Sequence, residues 1–208
     1  MMKTISVKQA QQADLKTQKE VGIPGLVLME RAALKAADNL WHTNWNLNHV
    51  LVVAGSGNNG GDGLAVARLL AVKGVHVDIL LLGNPKHYSD EHQTQLHTCK
   101  YYHVPVVDPK NVDWKKYTVI IDAIFGTGLS RPVAGNYVDF IKKINQAPAR
   151  VQAIDIPSGL NGSTGKVMGV SVKADLTSTF AYAKNGMVKP EAKPYIGKLI
   201  VNDIGIYC

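Results

Sequence analysis

The sequence predicts an α/β fold in which a doubly wound, mostly parallel sheet carries helices on both faces. Apolar runs such as "HVLVVAG" and "YTVIIDAIFG" are typical of strands that are buried on both faces. Helical patterns of about a dozen residues separate these runs, as in parallel βαβ units. Polar, glycine-rich turns follow three of the strands. Together these observations indicate a Rossmann-like architecture.

Two helical patterns open the chain, at residues 6–19 and 25–45, and Gly22-Ile23-Pro24 separates them. Apolar residues recur there at intervals of three and four, and Ser6 can cap the first helix. Strands are then predicted at 49–55, 75–82, 104–107, 117–124 and 150–156, with helices at 62–73, 89–101 and 136–146. Two further strands, at about 175–182 and 198–204, complete the sheet.

The composition favours one domain that spans residues 1–208. A chain of 208 residues with 46% hydrophobic residues is long enough to bury a sizeable core. We find no internal repeat, low-complexity segment or Pro/Ser-rich linker that divides it. Pro190 and Pro194 suit a loop between the last two strands.

Charge and cysteine content bear on location and partners. The N-terminus lacks an apolar stretch of signal-peptide length, so secretion and membrane spanning are disfavoured. Cys99 and Cys208 have no C-x-x-C spacing and are expected to be free thiols of a reducing cytoplasm. The net charge of +7 is spread along the chain, which favours an anionic small molecule over nucleic acid as the partner.

Three strand ends carry the residues of chemical interest. Ligands of open parallel sheets bind at the carboxyl ends of the strands, where the strand order reverses. Here those ends read "GSGNNGGDG" (55–63), "DAIFGTGLSRP" (122–132) and "DIPSGLNGSTG" (155–165). In a Rossmann-like order the three strands are neighbours, so we expect their loops to meet over one cleft.

The first strand end fits the G-x-G-x-x-G pattern of dinucleotide-binding turns. That fingerprint also requires an acidic residue at the end of the second strand. Asp78 lies in the middle of that strand instead, and the strand ends in Gly83-Asn84. A hydride-transferring dehydrogenase is therefore disfavoured.

Side-chain oxygens cluster at the same strand ends and suit a hard cation such as magnesium, calcium or an alkali ion. They belong to Asn58, Asn59, Asp62, Asp122, Asp155 and Ser158. A purely structural alternative is that Asp62 caps the following helix while the two asparagines supply turn conformations. Repetition at three neighbouring strand ends favours a shared site.

Arg131 and Asp155 each have a functional and a structural interpretation. Arg131 can pair with phosphate through two parallel hydrogen bonds, or it is a surface residue before Pro132. Asp155 ends an apolar strand and is a candidate general acid or base. Its alternative role is a structural carboxylate that accepts backbone N–H bonds in the turn at 157–159.

Four histidines lie close together in the sequence, at His87, His92, His97 and His103. Their spacings of five, five and six residues do not place them on one helical face. We therefore expect a solvated surface there, and no metal site.

With these residues placed, the chain resembles the NAD(P)H-hydrate epimerase family, the N-terminal YjeF type of domain. Six ordered motifs carry the resemblance: "LMERAA" (28–33), "GNNGGDG" (57–63), "DAIFGTGL" (122–129), "AIDIPSGLNGSTG" (153–165), "ADLTSTFAYAKNG" (174–186) and "GKLIVNDIGI" (197–206). The family often has glycine where Ala33 stands, a difference expected to affect packing. The chain ends before any kinase-like dehydratase domain, so that activity is expected from a separate polypeptide.

The resemblance implies interconversion of the R and S forms of hydrated NADH and NADPH, with a potassium ion near the ligand. By position, Asn59, Asp122 and Ser158 would contact the cation. The substrate would contact Asn58, Asn59, Gly60, Gly61, Asp62, Gly126, Thr127, Gly128, Leu129, Ser130, Arg131, Pro132 and Asp155. Tyr137 matches a family tyrosine near the substrate, with helix packing as its alternative. Asp155 is the catalytic candidate.

Two alternative functions remain beside this interpretation, and a homodimer is the expected assembly state. Domains of this family also occur in an RNA-decapping scaffold and in a lipoprotein-binding protein, so a nonenzymatic nucleotide- or RNA-binding module is the first rival. The joint presence of Asn59, Asp122, Asp155 and Ser158 favours the enzyme. An NAD-dependent oxidoreductase is the second rival, which hydride exchange would reveal. A homodimer is expected from the resemblance and from the apolar second helix.

Overall fold

Six parallel strands form the centre of the molecule in the computed structural model, which describes residues 3–207. The elements along the chain are β1 (Thr4–Ile5), α1 (Val7–Lys16), α2 (Gly25–Trp41), β2 (His49–Ala54), α3 (Asn58–Val72), β3 (His76–Leu81), α4 (Asp90–Tyr101), β4 (Val119–Ala123), α5 (Asn136–Gln146), β5 (Arg150–Ile154), β6 (Leu176–Phe180), β7 (Ala183–Lys184), α6 (Lys193–Ile196) and β8 (Lys198–Asn202).

The strand order of the main sheet is β3-β2-β4-β5-β6-β8, and every neighbouring pair is parallel. The chain runs from β2 to β3 on one side of β2 and then returns to place β4 on the other side. The strand order therefore reverses between β2 and β4, where an open α/β sheet forms its ligand crevice. This confirms the predicted parallel sheet, in which β2, β4 and β5 are neighbours.

Helices cover the two faces of the sheet unequally. Alternating residues of β2 show that both faces are buried: Val50 and Val52 pack into one core with α2, α3 and α4, while Leu51 and Val53 pack into the other with α5. Irregular segments complete the cover over the second core. Among them is the segment after β4, which contributes Ile124, Phe125 and Leu129.

The third helix begins at Asn58, four residues before the predicted start, with Gly57 as its N-cap. Its glycines allow close packing of the helix against the ends of β2 and β4. A Cβ on Gly60 would lie 1.9 Å from the Gly55 carbonyl oxygen, and one on Gly63 would lie 2.4 Å from the Ala123 Cβ. The interpretation of Asp62 as a helix cap was wrong, because this residue lies in the second turn of α3.

The N-terminal helices follow the prediction with two changes. Ser6 caps α1 through a capping box, in which the Gln9 amide donates to Ser6 Oγ over 3.1 Å. The chain then continues as a π-helical turn over Thr17–Val21, which the periodicity did not reveal. The second helix ends at Trp41 and does not reach residue 45.

The remaining differences between the predicted elements and the structure concern short strands and helical turns. The strand predicted at 104–107 is a single bridge between Ile79 and Val106, since Pro105 has no N–H to extend a ladder. The sequence did not predict the small sheet of β1 and β7, in which Ile5 pairs with Lys184. The segment predicted as a loop around Pro190 and Pro194 forms short helical turns, each with its proline near the start.

Cys99 is a buried free thiol whose Sγ donates to the Leu64 carbonyl. Burial raises the pKa of Cys99 to about 11. Cys208 lies outside the described residues. Between residues 3 and 207, no helix has both the length and the apolar character needed to cross a membrane.

Candidate active site

A cleft of about 840 Å³ opens at the carboxyl edge of the sheet, where β2, β4 and β5 end. The cleft is lined by the start of α3, the segment after β4 and the end of β5, together with α1, α2, the segment around Lys184 and the C-terminal segment. Gln11 of α1 links two of these parts by donating to the Thr127 carbonyl over 3.2 Å. Eight predicted site residues line this cleft: Asn58, Asn59, Asp62, Gly126, Thr127, Gly128, Leu129 and Asp155.

The first turn of α3 presents backbone donors to the cleft. The first intrahelical bond runs from the Gly61 amide to the Gly57 carbonyl over 3.2 Å. The amides of Asn58, Asn59 and Gly60 precede that bond and have no acceptor within the helix. A helix N-terminus of this kind suits a phosphate group.

Asn59 has unsatisfied polar atoms at the floor of the cleft. Both its Oδ1 and its Nδ2 are buried without a hydrogen-bond partner. A Cβ on Gly126 would lie 3.2 Å from Asn59 Oδ1 and 3.1 Å from Asp155 Oδ2. The three strand-end segments therefore converge at Gly126, where an additional atom would contact both side chains. Buried amide atoms without partners are rare, and at a cleft they are free to contact a bound group.

Asp122 and Ser158 are buried and are not among the residues that line the cleft, but the Phe125 amide, next to Gly126, donates to Ser158 Oγ over 2.9 Å. The two residues are also hydrogen-bonded to each other. Ser158 Oγ donates to Asp122 Oδ1 over 2.6 Å, and the Ser158 amide donates to Oδ2 over 2.8 Å. The Ile124 amide also donates to Oδ1, over 3.3 Å. Burial raises the pKa of Asp122 to about 6, although the bonds from Ser158 and Ile124 counteract this effect. Here Asp122 is the carboxylate that organises the 157–159 turn.

Asp155 occupies a strained turn at the end of β5. Its φ is 65°, and the Ile156 amide donates to the Ile154 carbonyl over 2.9 Å, which closes a three-residue γ-turn. This left-handed conformation is uncommon for a non-glycine residue and is costly unless the surroundings enforce it. Asp155 accepts no backbone N–H in the 157–159 turn, so the structural alternative suggested by the sequence applies to Asp122 instead.

Lys184 and Thr179 are the partners of Asp155, and the sequence analysis did not identify them. Lys184 Nζ and Thr179 Oγ1 both donate to Asp155 Oδ1, the latter over 3.0 Å. Lys184 is only 3% exposed. A lysine that ends the otherwise apolar run "FAYAK" (180–184) was the available signal, because a buried ammonium group requires a carboxylate partner.

Further carboxylates lie on the cleft at Asp62 and Asp14. Burial raises the pKa of Asp62 well above its usual range, and the charges of Asp155 and Asp14 add to this effect while Lys184 opposes it. Burial also raises the pKa of Asp14, against a hydrogen bond from Gln18. Two carboxyl groups near Asp155 thus favour the protonated form more than a solvated aspartate does.

The other predicted substrate residues occupy different environments. Gly60 and Gly61 are buried inside α3, and a Cβ on Gly61 would lie 2.5 Å from Met29. Ser130, Arg131 and Pro132 are exposed and do not line the cleft. Tyr137 packs against the Phe125 ring with centroids 4.9 Å apart, also away from the cleft lining. The substrate contacts of these residues stay predictions.

The prediction of a solvated surface was wrong for His92, which is fully buried. Its Nε2 lies 3.0 Å from the Gly55 carbonyl oxygen, and its ring stacks on Tyr88. Burial lowers its pKa, and the backbone hydrogen bond partly offsets that. His87, His97 and His103 are exposed as expected. Within residues 3–207, no three His, Cys, Asp or Glu side chains are grouped to hold a metal ion.

The fold and the cleft define a parallel α/β protein with a cleft at the reversal point of its sheet, where such folds bind ligands, and with a helix N-terminus suited to an anionic group. Comparison with known proteins gives the family. The model of the YjeF-related protein N-terminus matches residues 25–186, and the chain belongs to this family.

Similar proteins cover the whole chain. It is 53% identical over 208 residues to the NAD(P)H-hydrate epimerase of Lentilactobacillus buchneri, covering 100% of this chain and 96% of that protein. The NAD(P)H-hydrate epimerase of Oenococcus oeni is 47% identical over 205 residues, covering 98% and 97%. The crystal structure of yeast ynu0 shares the fold, with a TM-score of 0.82, 22% identity and coverage of 97% of this chain and 88% of that one.

Proposed function

We propose that this protein is an epimerase that interconverts the R and S forms of hydrated NADH and NADPH. One observation carries the proposal: a single cleft brings Asn59, Asp62 and Asp155 together in a chain that matches named NAD(P)H-hydrate epimerases along its full length. No described feature favours the nonenzymatic nucleotide- or RNA-binding module.

Binding of the dinucleotide is assigned to backbone donors and to the cleft floor. The free amides at the start of α3 suit a phosphate of the ligand. The segment Gly126–Leu129 lines the cleft and can approach the ligand closely at Gly126, which has no side chain and lies beside Asn59 and Asp155. The hydrated ring then lies near Asp155, at the convergence of the three strand ends.

Asp155 is the proposed proton-transfer group. The hydrate carries a hydroxyl on the carbon beside the ring nitrogen, so inversion requires that a bond to that carbon breaks and forms again. Either water leaves and returns, or the hydroxyl loses its proton while the ring C–N bond opens and the nitrogen gains a proton. Both routes need a group that takes a proton and gives it back, and a carboxylate at the cleft can do this.

A potassium ion is the proposed cofactor, held by Asn59, Asp122 and Ser158. The unpartnered Asn59 amide supports this, since its Oδ1 is a hard oxygen without a donor. Asp122 has accepted three hydrogen bonds and retains further acceptor capacity on Oδ2. When bound, the cation supplies positive charge beside the anionic ligand.

The proposal also includes the assembly state and the cellular context. Val27, Leu34 and Trp41 form an exposed apolar stripe at seven-residue intervals on α2, which suits a homodimer interface. The buried free thiol of Cys99 is compatible with a cytoplasmic location. The resemblance adds functional coupling to a separate hydrate dehydratase, which would consume one of the two epimers.

The deciding experiment follows purified R or S hydrate by chromatography in the presence and absence of the protein. We expect faster equilibration of the two forms, dependence on potassium and no change in the amount of reduced nicotinamide. Equilibration at only the spontaneous rate would refute the proposed function, and hydride exchange with a nicotinamide cofactor would support an oxidoreductase instead.

A further inference from the structure

We infer that Lys184 is a positioning residue that fixes Asp155 so that one carboxylate oxygen is held by the protein and the other faces the ligand. The inference rests on the proposed proton transfer by Asp155. It assigns to Lys184 a role in turnover that is separate from ligand binding.

The ammonium group of Lys184 is saturated with acceptors. Its Nζ donates to Asp155 Oδ1, to Thr179 Oγ1 over 2.8 Å and to the Phe180 carbonyl over 3.4 Å. A protonated lysine has three N–H donors, and here each has an acceptor. Lys184 is therefore held by three acceptors, and none of its N–H groups is left to donate to a ligand.

The two oxygens of Asp155 have different surroundings. Oδ1 accepts from both Lys184 and Thr179, whereas Oδ2 accepts no hydrogen bond from residues 3–207. Oδ2 instead points toward Gly126, 3.1 Å from the position that a Cβ there would take. The oxygen that Lys184 does not hold is therefore the one that faces the cleft.

A second strained turn in the backbone, at Ala181, directs the chain so that Lys184 reaches Asp155. At the end of β6, Ala181 has a φ of 58° and the Tyr182 amide donates to the Phe180 carbonyl over 2.7 Å, which repeats the γ-turn at Asp155 on the neighbouring strand. The chain then enters β7, where Lys184 pairs with Ile5 of β1. The N-terminal strand thus fixes the backbone from which Lys184 reaches the end of β5.

The charge balance of the cleft also depends on Lys184. Its positive charge acts on Asp62 in opposition to the negative charges of Asp155 and Asp14. Removing one partner of a buried ion pair leaves the other charge uncompensated. Without Lys184, the Asp155 side chain would have only Thr179 to hold it and would be free to leave its strained position.

The first test compares Lys184→Met with Lys189→Met, an exposed lysine five residues away that serves as the matched control. Methionine keeps the apolar stem and removes the charge. We expect kcat of Lys184→Met to fall about 10- to 100-fold while KM stays within about 3-fold, because misplacement of a reacting group by about 1 Å can cost 10²-fold. Lys189→Met should match the wild type.

The second test is chemical rescue. In Lys184→Ala, added methylammonium at saturating potassium should restore part of kcat, since the small cation can occupy the space left beside Asp155 and Thr179. The same salt should leave the wild type unchanged. If Lys184→Met does not unfold cooperatively, Lys184→Gln replaces it, because glutamine keeps a hydrogen-bond donor without the charge.

Asp155→Asn, measured in the same assay, distinguishes a failure of this inference from a failure of the proposed function. Loss of turnover in Asp155→Asn with normal kcat in Lys184→Met would overturn the inference alone. Loss of kcat in Lys184→Met accompanied by an equal rise in KM, without rescue by methylammonium, would also overturn it, since that pattern indicates a general structural defect. Full turnover in Asp155→Asn would refute the proton-transfer assignment itself.

Discussion

Asp122 and Ser158 join the ends of β4 and β5 through two hydrogen bonds, one from the Ser158 hydroxyl at 2.6 Å and one from its amide at 2.8 Å. This pair fixes the distance between the two strand-end segments that form the cleft floor. Because Asp122 is fully buried, its protonation state also sets the charge available to a cation there.

The pH dependence of cation binding is the first prediction. The pKa of Asp122 is raised from 3.8 to about 6, so the folded protein holds this proton more tightly than the unfolded chain does. Without a cation, the contribution of Asp122 to stability is therefore greatest at low pH and declines as pH rises through about 6. A cation compensates the ionised form, so potassium should raise Tm more at about pH 8 than at about pH 5.

Thermal unfolding in potassium chloride and in choline chloride at equal ionic strength measures this effect. Asp122→Asn should remove the difference between the two pH values in the rise of Tm that potassium causes. Asp139→Asn, an exposed aspartate on α5, is the control and should retain it. An equal potassium response at both pH values in the wild type would contradict the assignment of Asp122 to the cation.

The second prediction distinguishes the two aspartates by substitution with asparagine. Asp155→Asn keeps an Oδ1 acceptor for Lys184 and Thr179 but removes the titratable group, so turnover should fall by about 10²- to 10⁴-fold while ligand binding survives. Asp122→Asn should instead weaken ligand affinity and cation dependence, with partial recovery at high potassium. Calorimetric titration with a dinucleotide, together with rates across potassium concentrations, tests both expectations. Near-wild-type turnover in Asp155→Asn would count against the catalytic assignment.

The third prediction uses two glycines that lie two residues apart on the cleft wall. The Cβ of Gly126→Ala would stand 3.1–3.2 Å from Asp155 and Asn59, in the space where the strand ends converge. We expect this variant to fold but to lose at least about 10-fold in ligand affinity, or about 1.4 kcal/mol. Gly128→Ala adds the same methyl group where no atom lies within 4 Å, so its affinity should match the wild type. Equal effects of the two substitutions would show that the ligand does not occupy this point.

The fourth prediction concerns assembly. Light scattering at micromolar concentration should give the mass of a dimer, and Leu34→Glu should shift it to a monomer, because a charge on the apolar stripe of α2 would be buried at the interface. Val72→Glu places the same charge on an equally exposed residue of α3 and should leave the dimer intact. A monomer mass for the wild type would remove the proposed role of the stripe.

The sequence predicted the parts of this molecule that depend on repeated patterns. Buried runs and helical periodicity gave the parallel sheet, and the carboxyl-end rule placed Asn59, Asp122 and Asp155 at adjoining strand ends. It did not place the start of α3, because Gly60 and Gly63 look like loop residues in the local sequence. Their role in packing exists only in the fold, where Gly60 lies against Gly55 after β2 and Gly63 lies against Ala123 of β4.

Contacts between distant segments were the part that the sequence did not reveal. Lys184 meets Asp155 only because Ala181 reverses the chain through a left-handed turn and β7 pairs with the N-terminal strand. His92 is buried because α4 packs against α3 beneath the Gly55 carbonyl, and no spacing among the histidines indicates that. Such contacts depend on the folded geometry of several elements at once.

The segment after β4 belongs both to the lining of the cleft and to the hydrophobic core. Ile124, Phe125 and Leu129 line the cleft, and the same three residues also pack in the core that α5 covers. A substitution in this segment that changes the shape of the cleft therefore also changes the packing of the core with α5. Divergence toward a different ligand along this segment is thereby restricted to changes that the hydrophobic interior tolerates, which ties the evolution of specificity in this scaffold to the preservation of its stability.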